Sequence, residues 1–258
     1  MKNNRFREAL AAGRMPIGHM VWEFGTRGMA KILESADLDF VIYDMEHSGF
    51  GMERIFDLIA YAKACSFAPM VRVPQAQYHF LARVMDAGAL GVMIANVESA
   101  EQAKMIVDAV KYAPLGNRGV GIGTAHTDFL PLPAVEYFRE SNESTVVICQ
   151  IESPAGVKNA EAIAATPGVD LLWVGHFDLS QSMGIPAQFQ HPDFLAALSA
   201  VIAAGKKHGC RLGIQPGNME QAEQWMGLGF DVISWTADSA LYRQALVSAV
   251  ADLRQRAR

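Results

Sequence analysis

Short apolar runs alternate with longer segments of helical periodicity along the whole chain, and no Ser/Pro-rich linker or low-complexity tract interrupts them. The runs fall at 16–23 (PIGHMVWE), 40–46 (FVIYDME), 69–73 (PMVRV), 91–97 (GVMIANV), 146–152 (VVICQIE), 171–178 (LLWVGHFD), 211–217 (RLGIQPG) and 232–238 (VISWTAD), and each reads as a strand. Helices fit between them. Ser99 precedes AEQAKMIVDAV and Ser153 precedes a proline, so each serine can cap a helix, and Pro154 pre-sets the first position of the second one. Eight strands alternating with eight helices in 258 residues predict an α/β fold, a (β/α)8 TIM barrel in one domain spanning 1–258, over an open doubly wound sheet.

Composition narrows the class of partner. With 51% hydrophobic and 19% charged residues the chain has ample material for a packed core. Lys and Arg total 22 against 27 Asp and Glu, for a net charge of −5, and no basic run or aromatic-basic stripe occurs. That balance argues against nucleic acid or an anionic membrane as partner and for a small molecule. Cys65, Cys149 and Cys210 are far apart and form no CxxC or Cys/His cluster, so they read as reduced thiols of a cytoplasmic protein. The basic start is broken by Gly13, Arg14 and Pro16 before a signal-peptide core could form, and no segment reaches the ~18 uninterrupted apolar residues of a membrane span.

The rhythm breaks once, at 113–133, a Gly- and Pro-rich stretch too long for an ordinary connection. In a simple barrel this loop leaves from the face opposite the βα loops, so a catalytic role requires it to reach a neighbouring subunit's site. Sealing the barrel or an interface is the other reading. Its G-V-G-I-G run is no dinucleotide fingerprint, because no strand leads directly into it and no helix follows at once.

Barrel chemistry gathers where strands run into βα loops. The polar residues expected there are few and mostly acidic: Asp44, Glu46 and His47 after the second run, Arg72 on the third, Gln150 and Glu152 at the fifth, and Gly175-His176-Phe177-Asp178 at the sixth. A period of two puts Asp44 with Glu46, and Gln150 with Glu152, on one face, and turns Cys149 and Ile151 towards the helices. Four carboxylates at one mouth raise one another's pKa unless positive charge joins them. Arg72 supplies one such charge. A hard divalent cation held by Glu152 and Asp178 compensates more locally, and oxygen donors without thiolates favour Mg²⁺ or Mn²⁺ over structural zinc. For any single acid, helix capping or pairing with a surface Lys or Arg is the alternative. Helix starts at Ser153-Pro154 and Leu179-Ser180 would aim N–H groups at the same site; Gly175 permits close ligand approach, and the planar fork of Arg72 suits a carboxylate.

His47, directly after an acidic strand end, is placed for acid/base work near neutral pH. His19, His79, His126, His191 and His208 have no comparable setting, and His176 is open to either reading. Asp86, in VMDAG, falls at the end of the helix after the third strand, where a carboxylate opposes the helix dipole unless partnered. That makes it a candidate orienter of His47. No Walker-type loop, Ser-His-Asp order or Schiff-base lysine stands at these strand ends.

The ordered set FVIYDMEHS, MVRVP, RVMDAGALGVMIANVESAEQA, NRGVG, QIESPAGVKNAEAIAATPGVDLLWVG, FDLSQSMG and QHPDF resembles the metal-dependent (class II) 2-oxo-acid aldolases of the 4-hydroxy-2-oxoheptane-1,7-dioate and 2-dehydro-3-deoxyglucarate aldolase type, over nearly the whole chain. The resemblance implies a TIM barrel whose C-terminal helix packs on or swaps with a neighbour in a homo-hexamer, a trimer of dimers. It implies Mg²⁺, Mn²⁺ or Co²⁺ on Glu152 and Asp178, Arg72 on the keto-acid oxygen with Gln150 nearby, and a His47 and Asp86 acid/base pair. The implied reaction cleaves a 4-hydroxy-2-oxo acid reversibly to pyruvate and an aldehyde through a metal-bound enolate. Substrate contacts then fall to Arg72, Gln150, Gly175, Phe177 and Asp178.

The chain departs from the family pattern where His176 replaces a proline after Gly175, where His126 stands in place of an arginine, and at Gly49-Phe50-Gly51. These departures leave the aldehyde open. Decarboxylation of oxaloacetate, citrate-lyase-type cleavage of an acyl-CoA, and a keto-acid-binding barrel without turnover are the competing readings.

Overall fold

Strands covered on both faces accept apolar residues at every position, and the eight runs of Val, Ile, Leu and Met form such strands. The computed structural model describes residues 2–257. Its elements are α1 (Arg5–Ala11), β1 (Ile17–Val21), α2 (Met29–Glu34), β2 (Phe40–Asp44), α3 (Met52–Ala62), β3 (Ala68–Val73), α4 (Tyr78–Ala87), β4 (Gly91–Ile94), α5 (Ala100–Val110), α6 (Ala134–Ser144), β5 (Val146–Ile151), α7 (Pro154–Ala164), β6 (Leu171–Val174), α8 (His176–Ser182), α9 (Pro192–His208), β7 (Arg211–Ile214), α10 (Met219–Leu228), β8 (Val232–Ala237) and α11 (Asp238–Arg256). Each strand pairs in parallel with the next, and β8 returns to β1, so the sheet closes into the predicted (β/α)8 barrel. The helices additional to the expected eight are α1, α6 and α8.

Local chemistry sets the boundaries. Ser99 Oγ accepts from Gln102 N at 3.2 Å and Ser153 Oγ from Gly156 N at 3.1 Å, the N-caps expected of these serines, with Pro154 opening α7. Alternation then divides the core in two. Val41, Tyr43, Val71, Cys149 and Ile151 point outward to the helices, while Phe40, Ile42, Met70, Ile148 and Trp173 fill the barrel interior. Gly213 leaves room for Trp173: a Cβ there would collide with the indole.

The N-terminal end of the barrel is plugged. Phe6 of α1 packs edge-on to Phe40 with ring centroids 5.5 Å apart, and Asn4 Nδ2 donates to Ser144 O at 2.7 Å. The 113–133 loop leaves α5 on this same end, as expected. It carries a 3₁₀ turn (Ala125–Thr127) whose buried His126 contacts Tyr137 Oη at 2.6 Å and Gly121 O at 3.1 Å. The C-terminal end stays open. The three cysteines are free and buried, and no helix among the described residues is long and apolar enough to cross a membrane.

Candidate active site

Arg72 organises the open mouth. It lies beside Asp44 in the β2–β3 register, and its guanidinium donates twice to that carboxylate, Nε to Oδ1 at 2.7 Å and Nη2 to Oδ2 at 2.8 Å. Nη1 faces Glu46 Oε2 at 3.1 Å. Burial disfavours the guanidinium charge, but Asp44, Glu46 and Glu152 outweigh it and leave the Arg72 pKa above its ordinary value. Asp44 also accepts from Glu46 N at 2.9 Å and His47 N at 3.0 Å, so one buried side chain fixes both the guanidinium and the turn that presents His47. The His47 imidazole is half exposed, edge-on to Trp22, with Nε2 3.8 Å from Glu46 Oε2.

Across the mouth, Glu152 follows β5. Its Oε1 accepts from Asn96 N at 2.6 Å and its Oε2 from the Gln150 amide. Asn96 adopts φ +48°, a left-handed conformation that asparagine tolerates better than most residues, and this turn aims its N–H at the carboxylate. Burial pushes the Glu152 carboxyl up to about 7, and the charges of Glu46 and Asp178 act in the same direction against those two hydrogen bonds. Glu46 is also held above its ordinary value, by burial first. Gly175 completes the arrangement: a Cβ there would strike the Glu152 carboxylate and lie 2.9 Å from Gln150 Nε2.

These residues surround a cavity of about 370 Å³ lined by His47, Arg72, Gln150, Gly175, Phe177 and Asp178, and, from β1, β7 and β8, by neutral side chains that include Trp22, Gln215 and Thr236. Arg72 is the only Lys or Arg on its wall among the described residues. The charges of Glu46 and Asp178 raise the affinity of Glu152 for protons, and that of Asp178 also raises the affinity of Glu46. Gln150 Oε1 is buried without a partner. The donors are hard oxygens with no thiolate among them, a set that suits Mg²⁺ or Mn²⁺. No cage of three or more His, Cys, Asp or Glu exists among the described residues, so an ion here would rest on few protein ligands.

The geometry corrects the sequence reading in two places and decides a third. Asp178 is not on a strand: β6 stops at Val174, and the helix expected to open at Leu179 begins at His176, which puts Asp178 in its first turn. Asp86 does not orient His47 of its own chain. It ends α4 at the plugged end of the barrel, where its carboxylate meets Arg118 Nη2 at 2.6 Å beside Gly88 and His126. Asp44 positions His47 instead, through the backbone. His176, open to either reading, is buried among Phe177, Phe189 and Trp225 without a polar partner, and burial pushes its pKa down to about 4.

Sequence reasoning missed the neutral wall. Trp22, Gln215 and Thr236 carry no charge that would single them out, and two features there, Thr236 at φ +44° and the slipped β1–β8 register, are visible only in the fold.

Residues 20–245 match the family described as HpcH/HpaI aldolase/citrate lyase. A 5-keto-4-deoxy-D-glucarate aldolase of Klebsiella pneumoniae subsp. pneumoniae is 33% identical over 94% of this chain and 93% of its own length. The crystal structure of an HpcH/HpaI aldolase from Desulfitobacterium hafniense DCB-2 superposes with a TM-score of 0.91 at 30% identity, covering 96% of each chain. A citrate synthase, SbnG, shares the barrel at a TM-score of 0.87 and 26% identity, over 97% of this chain and 98% of that one.

Proposed function

The chain belongs to the HpcH/HpaI aldolase/citrate lyase family, and from that premise we propose that the open barrel mouth is the active site of a divalent-metal-dependent carbon–carbon lyase. It reversibly cleaves a 4-hydroxy-2-oxo acid to pyruvate and an aldehyde. One observation carries this reading: Glu152 feels the charges of Glu46 and Asp178 beside a cavity lined by Asp178, and the cavity's only Lys or Arg, among the described residues, is already engaged by Asp44.

Glu152 and Asp178 are the residues to hold Mg²⁺, Mn²⁺ or Co²⁺, with Gln150 beside them. Such an ion, when bound, supplies Lewis-acid polarisation of the 2-keto oxygen and anchors the substrate carboxylate. Arg72, fixed by Asp44, keeps a permanent positive charge where negative charge develops on the keto oxygen, and a buried, pre-oriented donor stabilises that charge more than water can. His47, on the exposed side of the cavity, takes the 4-hydroxyl proton. The C3–C4 bond then breaks, C4 leaves as the aldehyde, the electron pair stays on C3 as the enolate of pyruvate, and protonation of C3 completes the product. Synthesis reverses each transfer.

The long α11 buries only Asp238, while Leu246, Val247 and Leu253 stand exposed. We place this face against a second copy, within a hexamer of the trimer-of-dimers type; there the partly exposed Asp86 at the plugged end is available to a neighbour's mouth. The three buried free thiols suit a reducing cytoplasm.

The test is incubation with a 4-hydroxy-2-oxo acid, beside oxaloacetate, before and after a chelator and with Mn²⁺ restored. Pyruvate and aldehyde should appear in equal amounts, vanish with chelation and return with the ion. Turnover of oxaloacetate alone would transfer the site to a decarboxylase, and activity indifferent to the chelator would remove the metal.

A further inference from the structure

The cavity wall is divided. His47, Arg72, Gln150 and Asp178 form one arc, from β2, β3, β5 and the start of α8; Met20, Trp22, Gln215, Pro216, Thr236 and Ala237 form the other, from β7, β8 and β1. No Asp, Glu, Lys or Arg lines the second arc among the described residues. Phe177 joins the two at the rim. Its side chain is 59% exposed yet not loose: it packs edge-on to Phe189 at 5.1 Å and against His176 at 4.6 Å, and both of those rings rest on buried Trp225. An aromatic ring held in that way and still left open to the cavity is presented for contact.

A carboxylate at the far end of the aldehyde would add another anion to a mouth that already gathers three acids. It would find Arg72 engaged and the opposite arc neutral, and an unpaired charge against apolar side chains is costly. A glucarate derivative, as in the name of the Klebsiella relative, carries a carboxylate at each end; on this wall the second one would meet Trp22, Met20 and Phe177.

We infer that this enzyme takes an uncharged, apolar aldehyde, aromatic or branched aliphatic, whose non-reacting end packs against Trp22 and Phe177. The inference rests on the lyase reading above and specifies its second substrate.

The experiment compares kcat/KM for benzaldehyde and succinic semialdehyde with pyruvate, using the full-length enzyme with Mn²⁺, alongside exchange of the pyruvate methyl protons in D₂O without aldehyde. Wild type should favour benzaldehyde by about tenfold or more, the scale on which apolar pocket contacts discriminate. Phe177→Ala should lower that ratio by about fivefold or more, and Gln215→Arg, which adds a cation to the neutral arc, should shift it about tenfold towards the semialdehyde. The second variant tests a gain that misfolding cannot imitate. Methyl exchange together with a wild-type preference for the semialdehyde, or a ratio unmoved in both variants, overturns this inference and leaves the lyase standing. Absence of exchange overturns both.

Discussion

At the plugged end of the barrel Asp170 accepts from Arg7 Nη2 at 2.7 Å and from Val147 N at 2.8 Å, with Lys111 Nζ 3.8 Å away. At the open end Glu152 accepts from one backbone N–H and one neutral amide and faces two further acids. Both carboxylates follow the same rule, that a buried charge needs partners. Only the first has cations paired with it directly. Lys111 itself is buried and pushed down to about 8, yet it donates to Asn142 O at 2.7 Å and Thr145 O at 2.6 Å. The charged groups of this cluster thus find their partners within the chain. At the open end the one guanidinium, Arg72, is shared between Asp44 and Glu46, and Glu152 has no salt bridge of its own among the described residues. Incompletely matched charge marks the end where a ligand supplies what the protein lacks.

The largest break in this comparison comes from Glu152→Gln. The amide preserves shape but forfeits the negative charge, and kcat/KM should fall by about a thousandfold or more, as when a charge-stabilising group is lost. Stability should move the other way. A carboxyl raised from 4.5 to about 7 makes the folded chain bind more protons than the unfolded one between those values, so its cost is complete above pH 7. In metal-free protein at pH 8 the variant should therefore be more stable by about 1 to 3 kcal/mol, a gain measurable by urea titration. A variant both inactive and less stable would show that Glu152 is a structural acid.

How far this asymmetry was legible in the sequence depends on what each feature is made of. The eight strands announce themselves because parallel strands buried on both faces read as apolar runs, and Ser99 and Ser153 announce α5 and α7 because capping is local chemistry. Arg72, Gln150 and Glu152 could be assigned to the mouth because each lies on or directly after a strand. Asp178 was displaced onto a helix because α8 opens immediately after Gly175, an event that no periodicity in four residues reveals. Asp86 pairs with His47 in the sequence reading because a carboxylate at a helix end needs a partner and because the family resemblance implies the pair, but a helix that follows a barrel strand returns to the opposite end, and there the partner is Arg118. Asp44 was counted as one acid among four. Its hold on both Arg72 and the His47 turn depends on strand register, which sequence does not carry.

The plugged end should respond to mutation in the opposite sense. Asp170→Ala strips the counter-charge from Arg7 and Lys111 and leaves Val147 N unpaired. Removing one member of a largely buried charge cluster should cost about 3 kcal/mol of folding free energy. Once folded, the variant should turn over within about twofold of wild type, because no interaction made only in the transition state has been lost. A drop in kcat with unchanged stability would make this end a participant in the chemistry.

A smaller effect sharpens the same contrast through pH. His126 is the buried histidine of the 113–133 loop, and burial, reinforced by the charge of Arg118, pushes its pKa from 6.5 down to about 4. The unfolded chain therefore binds a proton between pH 6.5 and 4 that the folded chain refuses. The stabilisation due to neutral His126 is complete above pH 6.5 and is lost as the pH falls towards 4, by about 2 kcal/mol once partial solvent access is allowed for. His126→Gln keeps groups able to face Tyr137 Oη and Gly121 O but cannot titrate. Its stability at pH 7 should be somewhat lower and its decline on acidification shallower, so the two urea-derived curves should converge near pH 4. Parallel curves would mean that the loop opens to admit the proton, in which case the plugged end is less tightly sealed than its hydrogen bonds indicate.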